Sequence, residues 1–422
     1  QILHIMKHRP TKTHILLAAA TMMVSSSCNP GQKSVNSKSR QSKEQSAPGS
    51  EIDRFGLDFL IRGHQPGKNM VYSPYSLYTA MAMVYAGTGQ STADEFQQVM
   101  HYPANTEAFH KTTGEVSATL QQTKHPDMEV RIANGLWIQE SLEVEPSFMT
   151  ILKEEYKASS ERFDFRREKQ REEARIRINN WTAEQTKEKI NEIIPEGTLQ
   201  PNTRLILTNA LYFKGQWLNT FNEKRTSKGV FFREDGTETE ADYMTGNITA
   251  RYLETSQMQA LGLPYAESRF IFWAFLPKEN LSVTRLLDAI RENNLDTLLN
   301  SSNTKPVDVE LPAFTIKNAI NAKKILKEMG LEEVFGMQAD LSGITGDRSL
   351  KVDEVLHKSF IDVNESGTEA AAATAVTVGL KSAFPGQPPS FKANRPFIFL
   401  IRETRSHTPL FLGVLHEPQY QK

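Results

Sequence analysis

The sequence predicts an α+β protein, one large mixed domain spanning residues 51–422. Three observations carry this. Helical apolar periodicity begins near Glu51, strand-like apolar runs dominate the later part, and no linker or internal repeat interrupts the chain between them. The apolar pattern opens with Ile52, Phe55, Leu57, Phe59 and Leu60. Helices are then expected over Ser76–Ala86, after Thr92, over Gln170–Glu188 and over Ala319–Met329. Thr92-Ala-Asp-Glu95 has capping-box spacing, so Gly87-Thr-Gly89 reads as a turn into a helix rather than as a phosphate loop. Strands are expected over Leu205–Phe213, Ala250–Leu253, Phe270–Leu276, Val307–Ile316 and Phe397–Ile401.

Composition narrows the function. The 422 residues are 39% hydrophobic and 23% charged, enough for a large core. Residues 1–50 hold seven Lys/Arg and one acid, which leaves 42 bases and 49 acids beyond them. A body with a net charge of −7 is a poor partner for nucleic acid. Cys28 is the sole cysteine, so no disulfide forms within the chain.

The leader reads as a signal peptide over residues 1–28. A basic start is followed by the apolar run Ile15–Val24 and then Ser25-Ser-Ser. Cys28 directly after the small residues resembles a bacterial lipoprotein signal, in which the cysteine carries the lipid. Val24 stands four residues before it, not the usual three. The expectation is export to the outer membrane or cell surface, held only through this lipid, with plain secretion as the alternative. Residues 29–50 contain one aliphatic side chain beyond alanine, Val35, and read as a flexible tether.

Catalytic constellations are missing: there is no HExxH, CxxC, GxSxG or P-loop. Acidic positions such as Glu332, Glu333 and Asp347 read as solvated helix ends and turns. His357, inside the apolar Val355-Leu-His-Lys358, reads as a hydrogen-bonded core histidine. No metal or cofactor is expected, and an enzyme is the weaker hypothesis.

The run Gly367–Val376, GTEAAAATAV, has one charge and no side chain larger than Glu. As a helix it has the propensity but lacks an apolar stripe to dock. As an exposed loop its mobility is explained and its composition is not. As a strand it divides cleanly. Thr368, Ala370, Ala372, Thr374, Val376 and Val378 fall on one face, while Glu369 falls on the other. Such a segment can enter a sheet with no bulky or charged side chain facing the core.

Glu365–Ala373 resembles the reactive-loop hinge of inhibitory serpins. Phe391–Ile401 is similar to the serpin C-terminal signature, and Asn209–Trp217 to the segment beneath the loop's insertion point. Tyr72–Leu77, Ala133–Trp137, Ala339–Gly343 and Pro409–Gly413 also fit, in order. The resemblance implies a large central β-sheet with further sheets, about nine helices and an exposed reactive loop. It implies a hinge of Glu365, Gly367, Thr368, Ala370, Ala372 and Thr374. It also implies a polar cluster of Ser73, Ser76, Asn209 and His357, with Trp217, that controls sheet opening. Ala313 stands where the family carries a basic residue opposite the hinge glutamate, so Glu365 needs another partner or none.

By the same resemblance, seventeen residues counted from Glu365 place the scissile bond at Lys381–Ser382. A lysine there suits the carboxylate-floored pocket of trypsin-like serine proteases. The loop is a few residues longer than usual, so Leu380 or Phe384 are alternates and more than one protease class is a possible target. The expected partner is a serine protease held in a covalent complex, and the protein is expected to be a monomer. Thirteen residues from Thr368 to Leu380 at ~3.3 Å each make a strand of roughly 43 Å. The rival reading keeps the fold and drops inhibition, leaving a binding or scaffold serpin.

Overall fold

The computed structural model describes residues 49–123, 125–369 and 387–420. Cys28, residues 29–48 of the expected tether, Ala370, Ala372, Thr374, Leu380, Lys381, Ser382 and Phe384 therefore lie outside the described residues, while Gly49 and Ser50, expected in the tether, already belong to the first helix of the folded body.

In chain order, α1 (Gly49–Gly63) leads through β1 (Met70–Tyr72) into α2 (Pro74–Tyr85), α3 (Gln90–Val99) and α4 (Thr106–Gln121). β2 (Met128–Gln139), α5 (Pro146–Glu154), β3 (Ser159–Phe163), α6 (Glu168–Gln185) and β4 (Leu205–Gln216) follow. Next come β5 (Ser227–Phe232), β6 (Glu238–Glu254), β7 (Met258–Pro264) and β8 (Phe270–Pro277). α7 (Val283–Glu292) and α8 (Leu295–Asn300) precede β9 (Asn303–Pro312), β10 (Phe314–Asn321), α9 (Ala322–Glu328) and α10 (Ser342–Thr345). The last strands are β11 (Glu354–Asn364), β12 (Gly367–Thr368), β13 (Ser390–Lys392), β14 (Phe397–Glu403) and β15 (Pro409–Leu415). The class is α+β, with ten α-helices among the described residues, the last a four-residue turn.

Two sheets organise these elements. A nine-stranded sheet runs β1-β15-β14-β8-β7-β6-β9-β13, with β5 added to β6. A six-stranded sheet runs β10-β11-β12-β4-β2-β3, and β11 also pairs directly with β4. The second sheet is buried on both faces, which alternation along β4 makes plain. Leu205, Leu207, Leu211 and Phe213 enter the main core, while Ile206 and Ala210 pack with Ala174 and Ile178 of α6. α2 is buried along its whole length; Pro74 opens it and the Ser73 side chain caps it by accepting from the Ser76 N–H.

Three sequence expectations shift. The run Val307–Ile316 is two strands, because the chain changes sheets at Ala313. β9 pairs with β6 up to Pro312, whereas β10 pairs with β11 from Phe314. The Ala319 helix begins later, at Ala322, since β10 continues to Asn321, which caps α9 through the Lys323 N–H. Thr92 is not a cap: α3 begins after Gly89, and Thr92 is buried inside it. Its hydroxyl donates to Glu333 Oε1 at 2.6 Å and accepts from the Asp340 N–H at 2.9 Å. Glu95 correspondingly accepts from the Glu332 and Glu333 amides instead of from its own helix start.

Candidate functional site

β4 and β11 are the central pair of the six-stranded sheet, and they part company halfway. From Ile206–Glu354 to Leu211–Ser359 they run parallel and bonded. Beyond that point β12 returns from the end of β11 and sits between them. Thr368 pairs with Val363 on one side and Gly215 on the other, and Gly367 pairs with Asn364 and Gln216. Gly367 and Thr368 are thus seated as a two-residue strand between the parted strands.

The turn that returns the chain is built by backbone accounting. Asn364 Oδ1 accepts from the Ser366 and Gly367 amides at 3.0 and 3.2 Å. The Trp217 N–H donates to the Ser366 carbonyl, and its indole Nε1 donates to the Asn364 carbonyl, both at 2.9 Å. Gly367 is required by close approach, because a Cβ there would lie 2.0 Å from the Gly215 carbonyl oxygen. Thr368 is buried facing the core and shares a 2.6 Å hydrogen bond with the Tyr265 hydroxyl. The Tyr265 ring stacks on Trp217 at 4.5 Å.

Glu365 has a partner other than the missing base. Its Oε1 accepts from the Thr226 hydroxyl at 2.6 Å and its carbonyl accepts from the Phe221 N–H. Ala313 is buried and its N–H is used by the Asp242 carbonyl, so nothing at that position reaches for the glutamate.

Ser73, Asn209 and His357 form one buried chain beneath the paired half of the strands, reached by Ser76 through the Ser73 side chain. The Ser73 N–H donates to His357 Nε2 at 3.0 Å, so that nitrogen carries no proton. His357 Nδ1 then donates to Asn209 Oδ1 at 3.1 Å, and Asn209 Nδ2 donates to Asn134 Oδ1 at 2.7 Å. Ser76 enters through its backbone N–H, which donates to Ser73 Oγ. Ser359 adds a bond to the Val71 carbonyl. Each link has one donor and one acceptor, and the chain joins α2, β11, β4 and β2.

Burial holds the His357 ring neutral, with its pKa lowered to about 4, and protonation would also remove the acceptor that the Ser73 N–H uses. An unfolded chain protonates this ring near 6.5. The unfolded state therefore gains its proton first, and stability falls as pH drops from about 6.5 to about 4, by up to ~3 kcal/mol for a fully buried ring. Burial lowers His110 and His416 the same way, while it raises Asp53 to about 7, a shift of opposite sign over this window. Three rings against one carboxyl set the net direction. Urea unfolding at intervals between pH 7 and pH 4 should show stability declining with acid, and His357→Gln should flatten that decline.

Sequence reasoning missed Thr226, Tyr265 and Asn364. Asn364 was within reach, as a residue preceding a turn whose side chain can mimic backbone. Thr226 and Tyr265 reach the hinge from over a hundred residues away and carry no local mark.

A sheet whose middle strands diverge around a returning segment, above a buried polar chain, defines this α+β fold. This chain belongs to the serpin family: the family pattern described as Serpin (serine protease inhibitor) matches residues 50–418. Members of that family are generally protease inhibitors. The chain is 34% identical over 357 residues to a serpin-like protein of Methanosarcina mazei, covering 84% of this chain and 82% of that one. Arabidopsis AtSerpin1, solved in its native stressed conformation, superposes with a TM-score of 0.78 at 28% identity, over 88% of this chain and 98% of its own. Human thyroxine-binding globulin, solved with thyroxine bound, superposes with a TM-score of 0.80 at 26% identity, over 88% of this chain and 99% of its own.

Proposed function

We propose that this protein is an irreversible suicide-substrate inhibitor of trypsin-like serine proteases. The observation that carries the reading is the register of β12. If insertion continued that pairing with β4 and β11, Ala370 would come between Phe213 and Ile361 and Ala372 between Leu211 and Ser359. Thr374 would come between Asn209 and His357, Val376 between Leu207 and Val355, and Val378 at Leu205, the first residue of β4. These β4 residues other than Asn209 belong to the main core, so the inserted face meets apolar neighbours with small or β-branched side chains of its own. Thr374 is the exception, and it arrives at the polar chain with a hydroxyl able to replace the bond it breaks.

The protease serine attacks the Lys381 carbonyl and the new amino terminus at Ser382 leaves, giving an acyl-enzyme on Lys381. With the loop severed, the strand runs the length of β4 and ends three residues short of the ester. The bound protease is carried to the far end of the sheet, and its catalytic groups are pulled out of the sub-ångström register that deacylation needs. Insertion replaces one parallel ladder of six residue pairs by two antiparallel ladders, the more stable pairing. In this reading the leader exports the chain, Cys28 carries the lipid and residues 29–48 are the tether, since α1 begins at Gly49.

Mixing with trypsin and running a denaturing gel tests the proposal. A band near the summed masses is expected with the natural chain and absent with Lys381→Ala. Clean cleavage without that band supports the binding or scaffold alternative, the direction in which thyroxine-binding globulin points. An unchanged rate for Lys381→Ala moves the scissile bond to Leu380 or Phe384.

A further inference from the structure

Glu369 stands where the chain leaves the sheet. Its N–H still bonds as a strand residue would, to the Asp362 carbonyl at 2.9 Å. Its own backbone, however, is left-handed, with φ at 53°, a conformation that a side chain of this size seldom adopts. A left-handed residue here breaks the extended backbone that β12 begins. Its carboxylate points to the α6 side of the sheet, where it is 4% exposed and lies 2.8 Å from Lys189 Nζ. Burial pushes this carboxyl up, Lys189 opposes the shift, and Asp362 adds to it. Tyr212 of β4 faces the same group.

Lys189 is itself held at the end of a strained turn. Lys187 and Glu188, which follow α6, are both left-handed at φ 54° and 60°. The turn is fixed by the Glu188 N–H on the Ala183 carbonyl and the Lys189 N–H on the Thr186 carbonyl. Lys189 Nζ also lies 5.2 Å from the centre of the Phe360 ring, on the stretch of β11 that has left β4. Three non-glycine left-handed residues and an ion pair with a buried carboxylate therefore meet over the point where the next loop residue would enter. Strain gathered at one place is a marker of function rather than of careless folding.

We infer that Glu369 and Lys189 form a latch that stops the hinge after its first two inserted residues and sets the rate at which the rest follows. The inference rests on the inhibitory reading of the loop. For Ala370 to reach Phe213 and Ile361, Glu369 must swing from the left-handed to the extended region. That rotation takes the buried carboxylate off its half-exposed cation, or drags the Lys187–Lys189 turn with it. Either route raises the barrier to insertion. Once the residue is extended, its left-handed strain is released, so the latch slows entry without opposing the final state.

The test uses the full chain as natural protein, Glu369→Gln, Lys189→Met, the double variant, and the charge exchange E369K/K189E. Conversion of uncleaved protein to the loop-inserted form is followed at elevated temperature by urea-gradient gel, beside covalent trapping of trypsin. Each single variant should insert about tenfold faster or more; recovery already inserted counts as that result. The double variant should be no faster than the singles, and the exchange should return toward the natural rate. Unchanged or slower insertion in both singles overturns the latch, and trapping of trypsin by the natural protein then leaves the inhibitory reading intact. Faster insertion with no trapping keeps the latch and removes the inhibitory reading.

Discussion

Thr374→Arg should turn the inhibitor into a substrate: trypsin cleaves it, leaves, and yields at least a hundredfold less covalent complex. On insertion, continuing the register of β12 would bring this position between Asn209 and His357, both almost fully buried. An inserted guanidinium would meet the Ser73–His357–Asn209–Asn134 chain, which already has its donors and acceptors matched and offers no carboxylate. An unpaired buried charge costs several kcal/mol, and ~3 kcal/mol is roughly a hundredfold in rate. Insertion then stalls at Ala373 and deacylation wins. The comparison is specific, because Thr374→Ser keeps the hydroxyl and should trap normally. Scoring complex against cleaved product on a denaturing gel checks both variants.

The second large effect is thermal. Protein nicked at the reactive bond should melt on the order of 20 °C above intact protein. The new strand bonds on two sides where the intact sheet has one parallel ladder over Ile206–Leu211 and Glu354–Ser359. About ten additional net hydrogen bonds at ~1 kcal/mol each give a gain on the order of 10 kcal/mol before ordering entropy is subtracted. Calorimetry before and after limited proteolysis checks this. A Tm unmoved by nicking means that the strand stays outside.

How much of this was readable from residues follows from how local each signal is. The strand at Gly367 and Thr368 was legible because alternation within a single stretch, Thr368 against Glu369, suits a strand that meets no obstacle. Ala370, Ala372 and Thr374 of the expected hinge lie outside the described residues. The polar cluster was legible through motifs, with Ser73 and Ser76 in one, Asn209 and Trp217 in another, and His357 as a lone polar ring in an apolar run. Replacement of the usual base by Ala313 was visible, but not what compensates it, since Thr226 reaches Glu365 from 139 residues away. The single strand expected over Val307–Ile316 failed because apolar alternation continues across Ala313 while the sheet changes beneath it. Thr92 failed for a related reason: its capping-box spacing is real, but Glu333 and Asp340 claim the side chain from a distant segment. The latch had no sequence signature, because left-handed backbone at Glu369, Lys187 and Glu188 falls on residues that do not favour it.

The structure of the cleaved protein is the decisive observation. It should show Ala370 beside Phe213 and Ile361, and Thr374 between Asn209 and His357, with β4 and β11 no longer touching. Finding the Ile206–Glu354 to Leu211–Ser359 ladder still closed after cleavage would contradict strand insertion outright.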